Sequence, residues 1–196
     1  MSDVFQEPDD AATPLSEEEK QDLIPTHIAF RSELNTAEQE NIARGQEWAF
    51  SRRRRQLLSE KFIRDLHKHM FGDVWRWAGR FRTSERNIGI ECWKIPTALR
   101  ELLDDVTVWI DKKVFPADEI AVRFHHRLVQ IHLFPNGNGR HARLMADLLV
   151  VRLDGERFTW GGGSLGPPGE IRRRYIAALH AADRHDIGPL LAFARA

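Results

Sequence analysis

Cysteine is almost missing from this chain: Cys92 is the only one among 196 residues. A single thiol excludes an intrachain disulfide and a zinc site built on cysteines, and it fits a reducing compartment. Long apolar runs are missing too, since no stretch approaches the roughly 20 residues that a membrane-spanning helix needs. Nor is there a surplus of either charge. Lys+Arg and Asp+Glu each total 29, so the formal net charge is zero. Without a global basic field, nothing in the balance advertises binding to nucleic acid or to an anionic membrane. The first residues, MSDVFQEPDDAAT, are acidic and carry no apolar run, unlike a secretory leader. These absences set the expectation of a soluble, cytoplasmic globular protein with one structural domain around one core.

What is present is mostly helical periodicity. Residues 1–30 read as an N-terminal arm, partly disordered, in which Ser16 and Glu19 form a capping box for a short helix ending near Leu23. Residues 31–57 form a second region, with a helix predicted over 36–52 and an apolar face of Ile42, Ala43, Gln46 and Ala49 or Phe50. Residues 58–196 read as the main core. There Ser59 caps a helix carrying Phe62, Ile63, Leu66 and Met70 at helical spacing, and Gly72 marks its end. The pattern breaks over 75–93, where Gly79, Asn87 and Gly89 punctuate short runs that predict one small β-hairpin. Helices follow over 97–113, with Leu99, Leu102, Leu103, Val106 and Ile110 as the core stripe, and over 116–131. Another starts near Asn138, and two more close the chain over 168–185 and 189–195, after a Gly/Pro loop at 161–169. The expected fold class is all-α, a helical bundle with one short β-hairpin.

Chemistry concentrates in residues 132–143, H-L-F-P-N-G-N-G-R-H-A-R. His132 lies just before a turn and suits a general base near neutrality. Gly137 and Gly139 allow close backbone approach to an anion, and Asn138 can bond the turn to itself or to a ligand. Arg140 and Arg143 share one face at the positive end of the following helix, where a polyphosphate would meet both. An imidazole beside a phosphate cradle points to phosphoryl or nucleotidyl transfer.

This string resembles the signature of the Fic family, H-x-F-x-(D/E)-G-N-G-R-x-x-R, with His132, Phe134, Gly137, Asn138, Gly139, Arg140 and Arg143 all matching. W-A-G-R-F-R at 77–82 and Y-I-A-A-L-H-A-A-D at 175–183 resemble further Fic segments. From about Thr13 onward the chain is similar to the Fic subgroup called mobile mystery protein B. The resemblance implies a Fic-type bundle that transfers AMP from ATP to a Tyr, Thr or Ser hydroxyl of a target protein. It implies His132 as base, Gly137, Asn138 and Gly139 around the phosphates, Arg140 on the β/γ region and Arg143 on the γ-phosphate. It also implies that the hairpin is a flap, with Thr83, Asn87, Ile88 and Gly89 taking the target segment as an added strand. The family carries a carboxylate for Mg²⁺ (or Mn²⁺) where this chain has Asn136, a weaker ligand for a hard cation.

Upstream, Thr36, Glu40 and Asn41 match the pattern (S/T)-x-x-x-E-(G/N) of the Fic inhibitory helix. The resemblance implies a Glu40–Arg143 ion pair that withholds the arginine from ATP, and in similar proteins the glutamate also supports AMP removal. Two alternatives accompany this reading. One is a catalytically silent Fic fold acting as an interaction module in a toxin–antitoxin-like pair. The other is a Fic enzyme transferring a different phosphate-containing group. The subgroup further implies a DNA-binding companion protein, while the chain itself contacts neither nucleic acid nor membrane, and a homo-oligomer is left open. Other features read as structural: the 52–55 arginine run as a solvated helix face, His125 and His126 as packed or hydrogen-bonded, and Trp75, Trp77 and Trp93 as packing anchors. If Asn136 is the weakened metal ligand, Asn136→Asp lowers the Mg²⁺ concentration for half-maximal activity, read by metal titration; an unchanged requirement rejects the assignment.

Overall fold

α6 (Asn138–Arg152) is buried on nearly every side, its polar Asn138, His141, Arg143 and Asp147 included. Its Ala142, Leu144, Met145, Ala146, Leu148, Leu149 and Val150 are all buried. The computed structural model describes residues 17–51, 56–162 and 168–196, over which α6 is joined by seven other α-helices. They are α1 (Glu17–Asp22), α2 (Arg31–Phe50), α3 (Glu60–Phe71), α4 (Ile95–Asp111), α5 (Ala117–Ile131), α7 (Pro168–Asp183) and α8 (Gly188–Arg195). α5 runs along α6 and against α4, α2 lies on α3, and α7 pairs with α8. The all-α expectation holds. Ser59 caps α3 by accepting from the Phe62 N–H at 3.2 Å, and Phe62, Ile63, Leu66 and Met70 are buried on its inner face. No helix among the described residues is long and apolar enough to cross a membrane.

Three expectations change. The 75–93 segment forms no hairpin: its one β-bridge joins Trp75 to Leu23, flanked by bonds from Ile24 N to Val74 O and from Arg76 N to Asp22 O, both 2.9 Å. The backbone of residues 81–91 is irregular because side chains take its polar groups. Arg82 donates to the carbonyls of Ser84 and Ile90, and the Glu85 carboxylate accepts from the Cys92 N–H at 3.1 Å. Second, α2 starts earlier than residue 36, because the Glu33 carboxylate accepts from the N–H groups of Ala29 and Phe30 at 2.8 and 3.1 Å. Its buried face is Leu34, Glu38, Asn41, Gly45 and Ala49, whereas Ala43 is exposed. Gly45 sets this phase, since a Cβ there would lie 2.9 Å from the Met70 Cα of α3. Third, Trp93 is 72% exposed beneath the Lys94 ammonium, while Trp75 is buried as an anchor. Ser16 and the 52–55 arginine run lie outside the described residues.

Three buried histidines tie the helices together in neutral form. His125 Nε2 meets the Tyr175 hydroxyl at 3.0 Å, and His141 Nε2 meets the Ile63 carbonyl at 3.0 Å. His67 accepts from the Gly79 N–H at 3.0 Å and donates to the Asn136 carbonyl at 3.1 Å. Burial lowers all three: His125 to about 3, His141 to about 4, and His67 well below its ordinary value. In the unfolded chain each titrates near 6.5, so the unfolded state takes up protons first. The associated stability is complete above that value and is lost as pH falls through the folded values. Thermal unfolding at stepped pH is therefore expected to show a midpoint that drops steadily from about pH 6.5 toward pH 4. A flat midpoint across that window contradicts the neutral, buried assignment.

Candidate active site

The site is built where α5 ends and α6 begins. The last turn of α5 closes on His132, whose N–H still donates to the Leu128 carbonyl at 3.1 Å. His132 itself takes a left-handed backbone, φ 57° and ψ 65°, a conformation that costs a side-chain-bearing residue of order 1–3 kcal/mol. That twist turns the chain out of α5 and leaves the imidazole partly exposed. Its Nδ1 is buried, so Nε2 is the nitrogen available to a substrate. Burial, and then the Arg82 and Arg86 cations, lower its pKa, while the Val129 carbonyl opposes them. The ring is thus held as a free base at neutral pH.

The turn 133–137 is pinned from within. Asn138 Oδ1 accepts from the Phe134 N–H at 2.9 Å, and Asn138 Nδ2 donates to the Phe134 carbonyl at 2.8 Å. Both polar atoms of this buried amide therefore bond the turn, so the Asn138 side chain shapes the cradle. Phe134 is fully buried and stacks on His67 with ring centroids 3.6 Å apart. Gly137, at φ 77°, begins α6, and a Cβ there would lie 2.6 Å from the Phe71 ring. A Cβ at Gly139 would meet the Arg143 guanidinium and the Tyr175 hydroxyl at 3.7 and 4.0 Å, ordinary contact distances. Asn136 is exposed, and its Oδ1 accepts from the Gly137 N–H at 2.7 Å.

The two arginines follow on the first turns of α6. Arg143 is buried, with its guanidinium 5.7 Å from the Tyr175 ring centroid. Arg140 packs over Phe71 and makes a 2.6 Å ion pair with Glu38 of α2. Glu38 is 5% exposed, and its other oxygen accepts from Trp75 Nε1 at 2.6 Å.

The α2 residues do not take the arrangement expected of them. Glu40 is exposed, and at two positions from Glu38 it projects roughly 200° around the helix from the carboxylate that reaches the site. Both cannot face the core, and the ion pair formed is Glu38–Arg140 in place of Glu40–Arg143. Thr36 is exposed and donates to the Ser32 carbonyl at 3.0 Å. Asn41 is buried and fastens α2 to the end of α3, donating to the His69 carbonyl at 2.9 Å and accepting from the Asp73 N–H at 2.9 Å. Thr83, Asn87, Ile88 and Gly89 are exposed loop residues, and Gly89 brings the loop to His132. There the Gly89 backbone comes so close that a Cβ would lie 2.6 Å from His132 Cβ.

Sequence reasoning missed Glu38, His67 and Arg82. A signal existed for the first: Glu38 falls on one stripe with Leu34, Asn41, Gly45 and Ala49. His67 had none, because its partners lie in distant parts of the chain. Among the described residues, no group of three His, Cys, Asp or Glu side chains could hold a metal ion by itself.

Comparison with known proteins agrees with this geometry. Residues 57–150 match the model of the Fic/DOC family. The chain is 32% identical over 135 residues to protein adenylyltransferase fic-1 of Caenorhabditis elegans, and 28% identical over 141 residues to protein adenylyltransferase Fic of Aedes aegypti. These alignments cover 67% and 70% of the chain, which spans only 25% and 27% of the two relatives. Among solved structures it is similar to Fic-1 (residues 134–508) of C. elegans, with TM-score 0.62, 26% identity, and coverage of 81% of this chain and 48% of that one. It also shares the fold of the N-terminal Fic domain of a Bartonella quintana cell filamentation protein solved with bound ADP, with TM-score 0.65, 16% identity, and coverage of 95% and 91%.

Removing the Asn138 side chain strands the buried Phe134 N–H and carbonyl. Asn138→Ala is expected to lower unfolding free energy by about 1–3 kcal/mol in urea denaturation. Unchanged stability returns Asn138 to a purely ligand-binding role.

Proposed function

Because the chain carries a Fic/DOC domain, we propose that it is a protein adenylyltransferase that moves AMP from ATP to a hydroxyl of a target protein. One observation carries this reading. A base-form imidazole, a stapled Gly-Asn-Gly turn and two arginines on one helix face meet at the α5–α6 junction. Such transfer needs positioning and charge stabilisation more than covalent help from the protein. In the step, the target hydroxyl oxygen bonds to the α-phosphorus as its proton passes to His132 Nε2. The bond from the α-phosphorus to the bridging oxygen breaks, and pyrophosphate leaves with that electron pair. The N-terminus of α6 and Gly139 leave room for the phosphates, and Arg140 and Arg143 neutralise charge on the departing part. Exposed Thr83, Asn87 and Ile88 offer the target a surface beside His132. Mg²⁺ bound to the triphosphate would withdraw charge from it. Asn136 Oδ1 is a neutral oxygen that already accepts one hydrogen bond, so this chain would hold the ion loosely.

The same geometry supports a brake, with its residues revised. Glu38 is buried, fixed by Trp75, and paired to Arg140, so it competes with the nucleotide for that arginine and repels its phosphates. Glu38→Gln keeps an oxygen for Trp75 and removes the charge. Incubated with ATP labelled at the α-phosphate and Mg²⁺, Glu38→Gln is expected to incorporate at least about tenfold more label than wild type, matching about 1.4 kcal/mol of released inhibition. Glu40→Gln matches wild type, and His132→Ala incorporates none. Equal labelling in Glu38→Gln and wild type removes the brake. In a parallel incubation with γ-labelled ATP, absence of both labels in every variant favours a silent interaction module, and label carried only from the γ-phosphate favours a different transferred group.

A further inference from the structure

Arg82 has a role that neither the motif nor the transfer chemistry assigns. Its side chain is fully buried. Its guanidinium joins three pieces of backbone. Nε donates to the His132 carbonyl at 2.7 Å, and Nη2 reaches the Ile131 carbonyl at 3.4 Å, both at the end of α5. Nη1 donates to the Ser84 carbonyl at 3.1 Å on the outgoing arm of the 83–91 segment, and Nη2 donates to the Ile90 carbonyl on the returning arm. The Arg82 N–H adds a 3.0 Å bond to the Leu133 carbonyl. Gly89 closes the arrangement, since a Cβ there would lie 2.6 Å from His132 Cβ and 2.9 Å from the Arg82 guanidinium. The segment is closed at its base by Cys92, whose Sγ donates to the Thr83 carbonyl at 3.4 Å. No strand pairing holds this segment, so the guanidinium supplies its cross-links in place of a ladder.

We propose that Arg82 is a positioning residue that locks the target-facing 83–91 segment to the left-handed backbone of His132, so that the general base and the incoming hydroxyl share one rigid frame. This rests on the reading of His132 as the base. A planar fork with five N–H donors can span the end of one helix and both arms of a loop, whereas an ammonium cannot reach all of these at once. The cation has a second effect. Burial comes first in disfavouring protonation of the imidazole; the Arg82 cation, which has the Glu85 carboxylate 3.6 Å from its Nη1, and Arg86 of the loop add to it, against the Val129 carbonyl of its own helix. Arg82→Lys keeps the charge and loses the fork, while Arg82→Gln loses both, so the pair separates geometry from electrostatics.

The test uses the full chain and does not depend on transfer activity. The His132 ring resonance, assigned by its disappearance in His132→Ala, is titrated by NMR, and amide hydrogen exchange is followed at positions 82 and 92, whose N–H groups donate to the Leu133 carbonyl and the Glu85 carboxylate at the two ends of the segment. In Arg82→Lys the His132 titration stays at its wild-type position while exchange at these two amides speeds by about tenfold or more, as expected when local hydrogen bonds open. In Arg82→Gln the exchange speeds likewise and the titration midpoint moves up. With α-labelled ATP in the Glu38→Gln background, Arg82→Lys lowers kcat by about 10²-fold with little change in KM for ATP, the signature of a misplaced base. Wild-type exchange in both variants, or an unmoved His132 titration in Arg82→Gln, overturns the proposal. Where Arg82→Gln does not fold, Arg82→Lys decides by exchange and kcat. Absence of label in the parent protein defeats the transferase reading and leaves the NMR and exchange results to judge Arg82.

Discussion

Buried backbone that is not helical has to find hydrogen-bond partners among side chains, and this constraint organises the molecule around the α5–α6 junction. Between Ile131 and Gly137 the chain leaves one helix and enters another without regular structure. Three side chains make up the deficit. Asn138 takes both polar groups of Phe134, His67 takes the Asn136 carbonyl, and Arg82 takes the carbonyls of Ile131 and His132. Each partner also reaches elsewhere: His67 to Gly79 of the W-A-G-R-F-R turn, and Arg82 to both arms of the loop over the site. The turn is therefore rigid because its neighbours are fastened through it. A rigid turn is what a phosphate cradle requires, since it must present its donors without reorganising.

Electrostatics follows from the same packing. His67, His125 and His141 are enclosed and neutral, which lets them serve as hydrogen-bond bridges without placing charges in the core. His132 differs in being only partly enclosed, and burial followed by the Arg82 cation lowers its pKa, so the ring is unprotonated near neutrality. Glu38 is the opposite case, a buried carboxylate kept next to a cation of the motif and an indole N–H. Breaking a buried pair on one side exposes the other charge to its full desolvation cost. In the proposed transfer a triphosphate would have to replace the carboxylate at Arg140, and this is why the pair is the proposed brake.

Much of the helical architecture was legible in the chain. The stripes Phe62–Ile63–Leu66–Met70 and Leu99–Leu102–Leu103–Val106 are buried as their spacing requires, and the junction motif was readable because its residues are contiguous. The phase of α2 was not legible. Its weak apolar contrast left two faces in competition, and Gly45 against Met70 settled the matter by close approach of two helices. The hairpin was misread for a related reason. Turn residues at Asn87 and Gly89 mark a reversal of the chain, but they do not say whether the arms pair with each other or with a buried guanidinium.

Periodicity and contiguous motifs are local properties, so the chain alone spells out an all-α protein with a Fic-like motif string and an imidazole ahead of a Gly-Asn-Gly turn. Which carboxylate meets the motif, which arginine it holds, and what bonds the loop to His132 are settled by packing between distant segments. Glu38 and Arg140 are 102 positions apart, and Arg82 and His132 are 50 apart. Contacts of that range depend on helix phase and close packing, where a shift of two residues along α2 exchanges a buried carboxylate for an exposed one.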